Sequence, residues 1–524
     1  MLLSPHDSGV LYFAGNRLFT TRDRGETWTA SQDLTRAEDR DELPILGAVP
    51  DEDTLSRHDG VADWGTITTL AESPLRPGII WVGTDDGRLQ LSRDGGQTWT
   101  SLEDNLAPFD SMRVKVSRVA ASAFSEPRAY ASFDRHHLGD FAPYVFVTED
   151  FGESWRAITE GLPARGWVNV IEEHPNSANV LFVGTETGVF LSRDRGETWK
   201  RMTGNFPTVP VDDLLVHPRD RDLVVGTHGR SIYILDDVGP LAQYEAGEPI
   251  QLFEPRTATI FLPWKHESYG AQGIFVGENP PFGALITYFV REPVEELELR
   301  ITDSSGAEVR RLAGAEGSGF RRVVWDLRRA SGYDEDAGPL VPPGAYTVEL
   351  VNLTADVSPK ATFEVVLDSR LAISDAEFRD RYEFLISVDR LRSTLREAVE
   401  LADSLLARGE KLKDALDGEA NQSVRETIDE ALEEVRAARR GVASDPSRMS
   451  FRNPSLLRRV SGLFGEFSGD EVRQGTLYAP TPVHRERLRS LDAAATSALE
   501  ELSAARSRSA AAIEEVLSRA KLGQ

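Results

Sequence analysis

One eight-residue pattern occurs four times in the first two hundred residues: Thr21-Arg-Asp23-Arg-Gly25-Glu-Thr27-Trp28, Ser92-Arg-Asp94-Gly-Gly96-Gln-Thr98-Trp99, Thr148-Glu-Asp150-Phe-Gly152-Glu-Ser154-Trp155 and Ser192-Arg-Asp194-Arg-Gly196-Glu-Thr198-Trp199. A repeat constrains the fold more than any other feature. Each copy marks one supersecondary unit, and such units bury their apolar faces by stacking on one another.

The pattern, [ST]-x-D-x-G-x-[TS]-W, is the Asp-box or BNR repeat, and its chemistry is that of a turn. The Asp carboxylate accepts from backbone N–H groups one to three residues on, and the Gly takes positive φ without steric cost. The hydroxyl residue and the Trp then anchor the turn to its own blade, the indole burying a large apolar area and bringing one N–H to satisfy. A carboxylate consumed by backbone donors is poorly placed for proton transfer. Asp23, Gly25, Trp28, Asp94, Gly96, Trp99, Asp150, Gly152, Trp155, Asp194, Gly196 and Trp199 therefore read as structural.

Short β-branched or aromatic runs precede each box: Val10-Leu-Tyr-Phe-Ala-Gly, Ile79-Ile-Trp-Val-Gly-Thr, Tyr144-Val-Phe-Val-Thr and Val180-Leu-Phe-Val-Gly-Thr. Joined by tight turns, they give four-stranded blades and a β-propeller. A fifth unit, Val211 to Asp237, keeps the strand rhythm without a box. About four and a half blades would leave strand edges open, which soluble proteins avoid. The expectation is that the chain is the later part of a longer protein, or that an upstream propeller-completing chain or self-association closes the ring.

The whole chain is expected to be mainly β, a partial Asp-box β-propeller followed by an immunoglobulin-like β-sandwich and a C-terminal α-helical bundle. The propeller occupies 1–240 and a Pro- and Gly-rich linker 241–282. Period-two alternation with turns about every ten residues places the sandwich at 283–370. From Ser374-Asp-Ala-Glu377, a capping-box signature, the period becomes helical, with segments near 375–416, 420–442, 453–467 and 483–520 forming a bundle over 371–524.

Composition removes several classes of function. A formal charge of -26 argues against nucleic acid, whose phosphates need clustered Lys and Arg. With no Cys, disulfides, thiolate metal sites and Cys nucleophiles are excluded. No run of eighteen apolar residues suggests a membrane span, and Met1-Leu-Leu-Ser-Pro-His-Asp7 has neither the basic nor the apolar region of a signal peptide. On that start the chain is expected to stay in the cytoplasm. No G-x-S-x-G elbow, P-loop, H-E-x-x-H or dinucleotide fingerprint is present.

Three polar clusters are candidates for ligand binding: Arg57, His58, Asp59 and Asp63 beside Trp64; Arg135 and His136 with Asp134, His137 and Asp140; His228 and Arg230 with Asp236 and Asp237. Loops between strands open on the propeller faces, where such residues converge. Adjacent His136 and His137 would point to opposite sides of a strand, so no shared metal is expected and no cofactor is implied. Glycoside hydrolysis needs two carboxyl groups across a sugar, and Asp59, Asp63, Asp85, Asp140 and Glu186 lie in or beside loops with nothing in the sequence to pair them.

The boxes together with Phe141-Ala-Pro-Tyr144, Gly226-Thr-His-Gly-Arg230, Leu235-Asp-Asp237 and Asn279-Pro-Pro-Phe-Gly-Ala284 resemble one family over about residues 1–370. It is that of the large bacterial sortilin/Vps10-like BNR-repeat proteins, often labelled glycosyl hydrolases. The resemblance implies an extracellular or periplasmic location, further blades ahead of residue 1, and a peptide or carbohydrate ligand. Val324-Trp-Asp-Leu327 with Pro342-Pro-Gly-Ala-Tyr346 is similar to the immunoglobulin-like module of flagellar hook-capping proteins, which implies core roles for the Trp and Tyr. The reading drawn from these features is a noncatalytic recognition or scaffold module for protein or glycan binding on the propeller face; the alternative is a glycoside hydrolase of the Asp-box propeller type.

Overall fold

A computed structural model describes residues 1–37, 39–42, 44, 48–55, 65–262, 277–294, 296–352, 358–416, 422–444, 454–469 and 475–522. The chain divides into two compact units, Met1–Glu245 and Ala246–Gln524.

The first unit is the repeat array. Blade one holds β1 (Leu2–Leu3), β2 (Leu11–Ala14), β3 (Arg17–Thr21) and β4 (Thr29–Asp33). Blade two holds β5 (Ile67–Glu72), β6 (Ile80–Thr84), β7 (Leu89–Ser92) and β8 (Thr100–Ser101). Blade three has β9 (Lys115–Ala121), β10 (Ala129–Asp134), β11 (Tyr144–Thr148) and β12 (Arg156–Ala157). Blade four has β13 (Val168–Glu173), β14 (Leu181–Thr185), β15 (Gly188–Ser192) and β16 (Lys200–Arg201). Blade five has three strands, β17 (Val211–Val216), β18 (Leu223–Thr227) and β19 (Ile232–Leu235), followed by the short helix α1 (Gly239–Gln243). Within each blade the strands pair antiparallel in chain order.

The second strand of each blade explains the stacking. Its alternating side chains point to the preceding and following blades, as the two-residue period of a strand requires. Tyr12, Trp81, Tyr130 and Phe182 occupy one register position, face the following blade and are buried. Ile80 with Val82, Ala129 with Ala131, Leu181 with Val183, and Leu223 with Val225 flank that position and face the preceding blade. First strands of successive blades are further stitched by Thr68 Oγ1 to Val116 O (2.8 Å), Ser117 Oγ to Val168 O (2.7 Å) and Asn169 Nδ2 to Val211 O (3.0 Å). A Cβ at Gly83 or Gly184 would come within 2.4 Å and 2.6 Å of Val side chains there, so these glycines permit the close approach of first strands.

The boxes lie between the third and fourth strands. In the first, the Thr27 N–H donates to Asp23 Oδ1 (2.8 Å) and its hydroxyl to Oδ2 (2.6 Å), while the Gly25 N–H donates to Thr21 Oγ1 (2.8 Å). The same bonds recur around Asp94, Asp150 and Asp194. The donors to Asp thus sit mainly four residues on rather than one to three, because the hydroxyl of the first residue takes the Gly N–H. The residue before the Gly also adopts positive φ, 60° at Arg24 against 99° at Gly25.

A second correction concerns the box Trp. Trp99, Trp155 and Trp199 pack into the clusters shared with the preceding blade, and Trp199 Nε1 donates to Ile158 O of blade three (2.8 Å). The box therefore anchors its turn to the neighbouring blade as well as its own.

In the second unit, two sheets form the sandwich. One is β20 (Ile250–Leu252), β22 (Ala284–Val290) and β25 (Gly319–Trp325); the other is β21 (Ala258–Ile260), β27 (Lys360–Leu367), β26 (Gly344–Asn352), β23 (Leu297–Asp303) and β24 (Glu308–Ala313). β20 and β21 fall inside the segment expected to be a linker; each pairs with a sandwich strand, β20 antiparallel with β22 and β21 in parallel with β27, and so satisfies backbone groups by ladder hydrogen bonds. Trp325 and Tyr346 lie in the core with rings 5.4 Å apart. Helices α2 (Asp375–Ala415), α3 (Gln422–Val442), α4 (Leu456–Ser468) and α5 (Pro482–Leu522) make the bundle, α2 opening with the capping box of Ser374 and Glu377. Phe378 on its first turns belongs to the sandwich core.

Candidate functional site

In an antiparallel meander the connection between strands two and three leaves at the opposite end from the connection between strands three and four. The boxes therefore mark one end of blades one to four. The connections 85–88, 135–143, 186–187 and 228–231, with the entries to β9, β13 and β17, mark the other. Arg135, His136, Asp140, His228 and Arg230 lie on this second end, whereas Asp236 and Asp237, which follow β19, lie on the other.

The densest cluster is built on blade three and the entry to blade four. Asp134, buried at the end of β10, receives His136 Nδ1 at 2.7 and 2.8 Å and the His136 N–H at 3.0 Å. His136 to Leu138 form a single 3₁₀ turn rather than a strand. The two histidines still diverge: His137 Nε2 lies 2.9 Å from Arg113 O, and the two rings are 6.1 Å apart at 88°. The His136 ring stacks on Trp167, 4.8 Å between centroids at 28°. Phe141 lies 5.9 Å from the same indole, with the Arg165 guanidinium 5.0 Å above Phe141.

Hydrogen bonding to Asp134 raises the pKa of His136, outweighing its partial burial. Burial would raise Asp134 in turn, but the bonds from His136 hold it below the usual carboxylate value. The result is a charge-assisted pair with a planar aromatic stack. Such a surface suits a flat, hydroxyl-bearing ligand, which rests an apolar ring face on the aromatics and offers its hydroxyls to the charged rim.

Other candidates have structural partners. Asp140 accepts from Tyr144 OH (2.7 Å) and lies 3.6 Å from Arg135, whose guanidinium sits 5.7 Å from the Tyr144 ring. Asp85 accepts from the N–H groups of Thr66 (2.7 Å) and Gly65 (3.2 Å), and burial raises its pKa. His228 is exposed with Nδ1 3.2 Å from Asp212, and Arg230 is exposed. Asp237 is buried in an ion pair with Arg221 at 3.0 Å, which takes it out of the cluster with His228. Arg57, His58, Asp59, Asp63 and Trp64 lie outside the described residues.

Two features were not read from the sequence. Trp167, a Trp outside any box placed just before a first strand, was the available signal for the stack. The other is a polar group on the first strands, where Arg118 pairs with Asp213 across blade four. Glu172 lies close to both; burial, with Asp213 and Glu173 adding to it, pushes its carboxyl up to about 7. Spacing alone does not show that residues 95 positions apart meet.

These features define an Asp-box propeller array with a polar and aromatic end. Residues 144–237 match the family model described as Sortilin-Vps10: Sortilin, neurotensin receptor 3. Over 158 residues the chain is 29% identical to the oligoxyloglucan-reducing end-specific xyloglucanase of Emericella nidulans, covering 30% of this chain and 17% of that protein. Among solved structures it is similar to a GH74 xyloglucanase from Xanthomonas campestris (12% identity, 69% of this chain and 53% of that one, TM-score 0.33). Another is YCF48 from Cyanidioschyzon merolae (16% identity, 49% and 88%, TM-score 0.26). The chain spans about a sixth of the length of the curated relative. Among the described residues, no helix is long and apolar enough to cross a membrane.

Proposed function

We propose that the array binds polysaccharide as part of an Asp-box glycoside hydrolase, with the His136 and Trp167 stack as a sugar platform. The stack carries the reading: it is a planar aromatic surface with a charged rim, on the end of the blades not used by the boxes. The sequence likeness to a xyloglucanase supports the hydrolytic class over simple recognition. Hydrolysis requires an acid and a second carboxylate. Asp85 and Glu186 hold the same turn position after Thr84 and Thr185 in blades two and four, and Asp85 has the raised pKa a general acid needs. A secreted or periplasmic location follows from a polysaccharide substrate.

Recognition without turnover is a second reading, favoured by the two backbone donors that already occupy Asp85. The experiment is titration of xyloglucan oligosaccharides against the chain, with release of reducing ends measured in parallel. Turnover lost in Glu186→Gln while binding persists supports hydrolysis. Binding without turnover, weakened by Trp167→Ala, supports recognition. Neither binding nor turnover rejects both.

A further inference from the structure

We propose that the polysaccharide taken by the His136 and Trp167 stack is an acidic one, whose sugars carry carboxylate or sulfate groups. This rests on the glycan-binding reading above and names the class of glycan. The charges gathered around the stack carry the inference.

Strand register sets Lys115 of β9 directly opposite Asp134 of β10, so the two side chains lie on the same side of the sheet. The Lys115 charge acts on Asp134 and His136 together. Asp134 is thus one buried carboxylate between two cations, and it is already bonded to His136 Nδ1. Arg165 meets the Phe141 ring beside Trp167 rather than an acid. Arg201 reaches the turn that carries Glu186 and donates to two neutral acceptors, Thr187 O (2.9 Å) and Thr208 Oγ1 (2.7 Å). Lys115, Arg165 and Arg201 make no ion pair with an acid among the described residues. Arg135 and Asp140, 3.6 Å apart, offset one another. Lys115, His136, Arg165 and Arg201 therefore stand against Asp134 and Glu186 alone, an excess of positive charge when His136 is protonated.

The arrangement favours a chain of charges over one compact anion. Lys115 lies on β9, His136 after β10, Arg165 ahead of β13 and Arg201 on β16, so the cations follow the end of two blades instead of converging on a point. A polymer with charge repeated from sugar to sugar matches that spread. Trp167 Nε1 is committed to Asn169 Oδ1 (3.0 Å), which leaves the indole its ring surface for the apolar face of a sugar. With Nδ1 bonded to Asp134, Nε2 is the donor that the protonated His136 ring has left for an anion. The net charge of -26 does not oppose such a ligand. Beyond a Debye length of about 8 Å at physiological ionic strength the remaining acids are largely screened, and the nearby cations govern the local field.

The test is calorimetric titration of the chain at low salt with four probes: an oligogalacturonate, a sulfated dextran oligosaccharide, a neutral xyloglucan oligosaccharide and a single-stranded oligonucleotide. Lys115→Glu and Arg165→Glu are titrated in parallel, with thermal melting as the folding control. An acidic glycan is expected to bind about tenfold or more tighter than the neutral one, to weaken as salt rises, and to lose that advantage in either variant. Oligogalacturonate as the tighter of the two assigns the charge to carboxylate, and the dextran oligosaccharide assigns it to sulfate. A neutral glycan bound as tightly as both acidic ones, or an acidic preference that survives both variants, overturns the inference and leaves the glycan reading standing. The oligonucleotide binding tightest also overturns it. Binding of no glycan at all rejects the inference and the glycan reading together.

Discussion

Tyr130 of blade three donates its hydroxyl to Glu173 Oε1 of blade four at 2.9 Å, and Tyr12 of blade one does the same to Glu72 of blade two at 3.1 Å. The two bonds are equivalent: a forward-facing Tyr on a second strand reaches the carboxylate that ends the next first strand. Glu173 also accepts from Ser122 Oγ (2.9 Å) and the Ala123 N–H (2.7 Å), and Glu72 from the Gly78 N–H (2.9 Å). These buried acids fasten blades together at the end that carries the boxes, away from the candidate ligand site.

Tyr130→Phe keeps the ring and removes one donor to a buried carboxylate. The expected loss is about 1–3 kcal/mol of stability, read from denaturant unfolding. Ser122→Ala in the same background should cost more than it does alone if the two donors share the load on Glu173.

Glu172 is pushed up to about 7, principally by burial. A carboxyl raised above its unfolded value contributes stability fully present below the unfolded pKa and lost as pH rises through the folded one. Glu172→Gln should therefore melt like the parent at pH 4 and be more stable at pH 8 by roughly 3 kcal/mol. Equal melting temperatures at both pH values would reject this account.

Asp23 and Asp94 are held at about 2 by hydrogen bonds, foremost from the hydroxyls of Thr27 and Thr98. For a depressed carboxyl the contribution is present above the unfolded pKa and disappears as pH falls through the folded value. Asp94→Asn should lower the melting temperature at pH 6, and the difference from the parent should shrink between pH 4 and 2.

His136 has its pKa raised by Asp134, so the bond between them stabilises the loop below the unfolded histidine value and weakens as pH rises through the folded one. Glycan affinity read by calorimetry should fall over that rise. In Asp134→Asn the fall should move to lower pH. A pH-independent affinity in the parent would detach His136 from binding.

Trp325→Ala empties the centre of the sandwich, where the indole is fully buried beside Tyr346 and Phe363. A loss of about 3–5 kcal/mol is expected for the second unit. The transition of the first unit in calorimetry should be the less affected of the two.

Much of the fold was legible because it is written in local periodicities. The boxes announce their turns, the runs around Tyr12, Trp81 and Phe182 announce strands that prove to be the second of their blades, Tyr144 to Thr148 announces the third strand of blade three, and Ser374 with Glu377 announces α2. The strands β20 and β21 were not legible, being three residues each and stabilised by pairing with β22 and β27, more than thirty residues away in sequence. Of the candidate site, Asp134, His136 and Asp140 were legible as a polar cluster. Trp167 was not, since its partner lies on another blade.

By itself the sequence determined what short-range geometry controls: the turn chemistry of each box, the alternation of faces along each strand, the helical period after Ser374, and the absence of thiol chemistry. Tertiary structure alone decided which alternate face meets which neighbour. It placed the box Trp against the preceding blade, moved Asp237 into an ion pair with Arg221 and brought Arg118 to Asp213. The physical reason is that a strand fixes only the direction of its side chains, whereas burial, pairing and pKa depend on what the rest of the chain brings to that side.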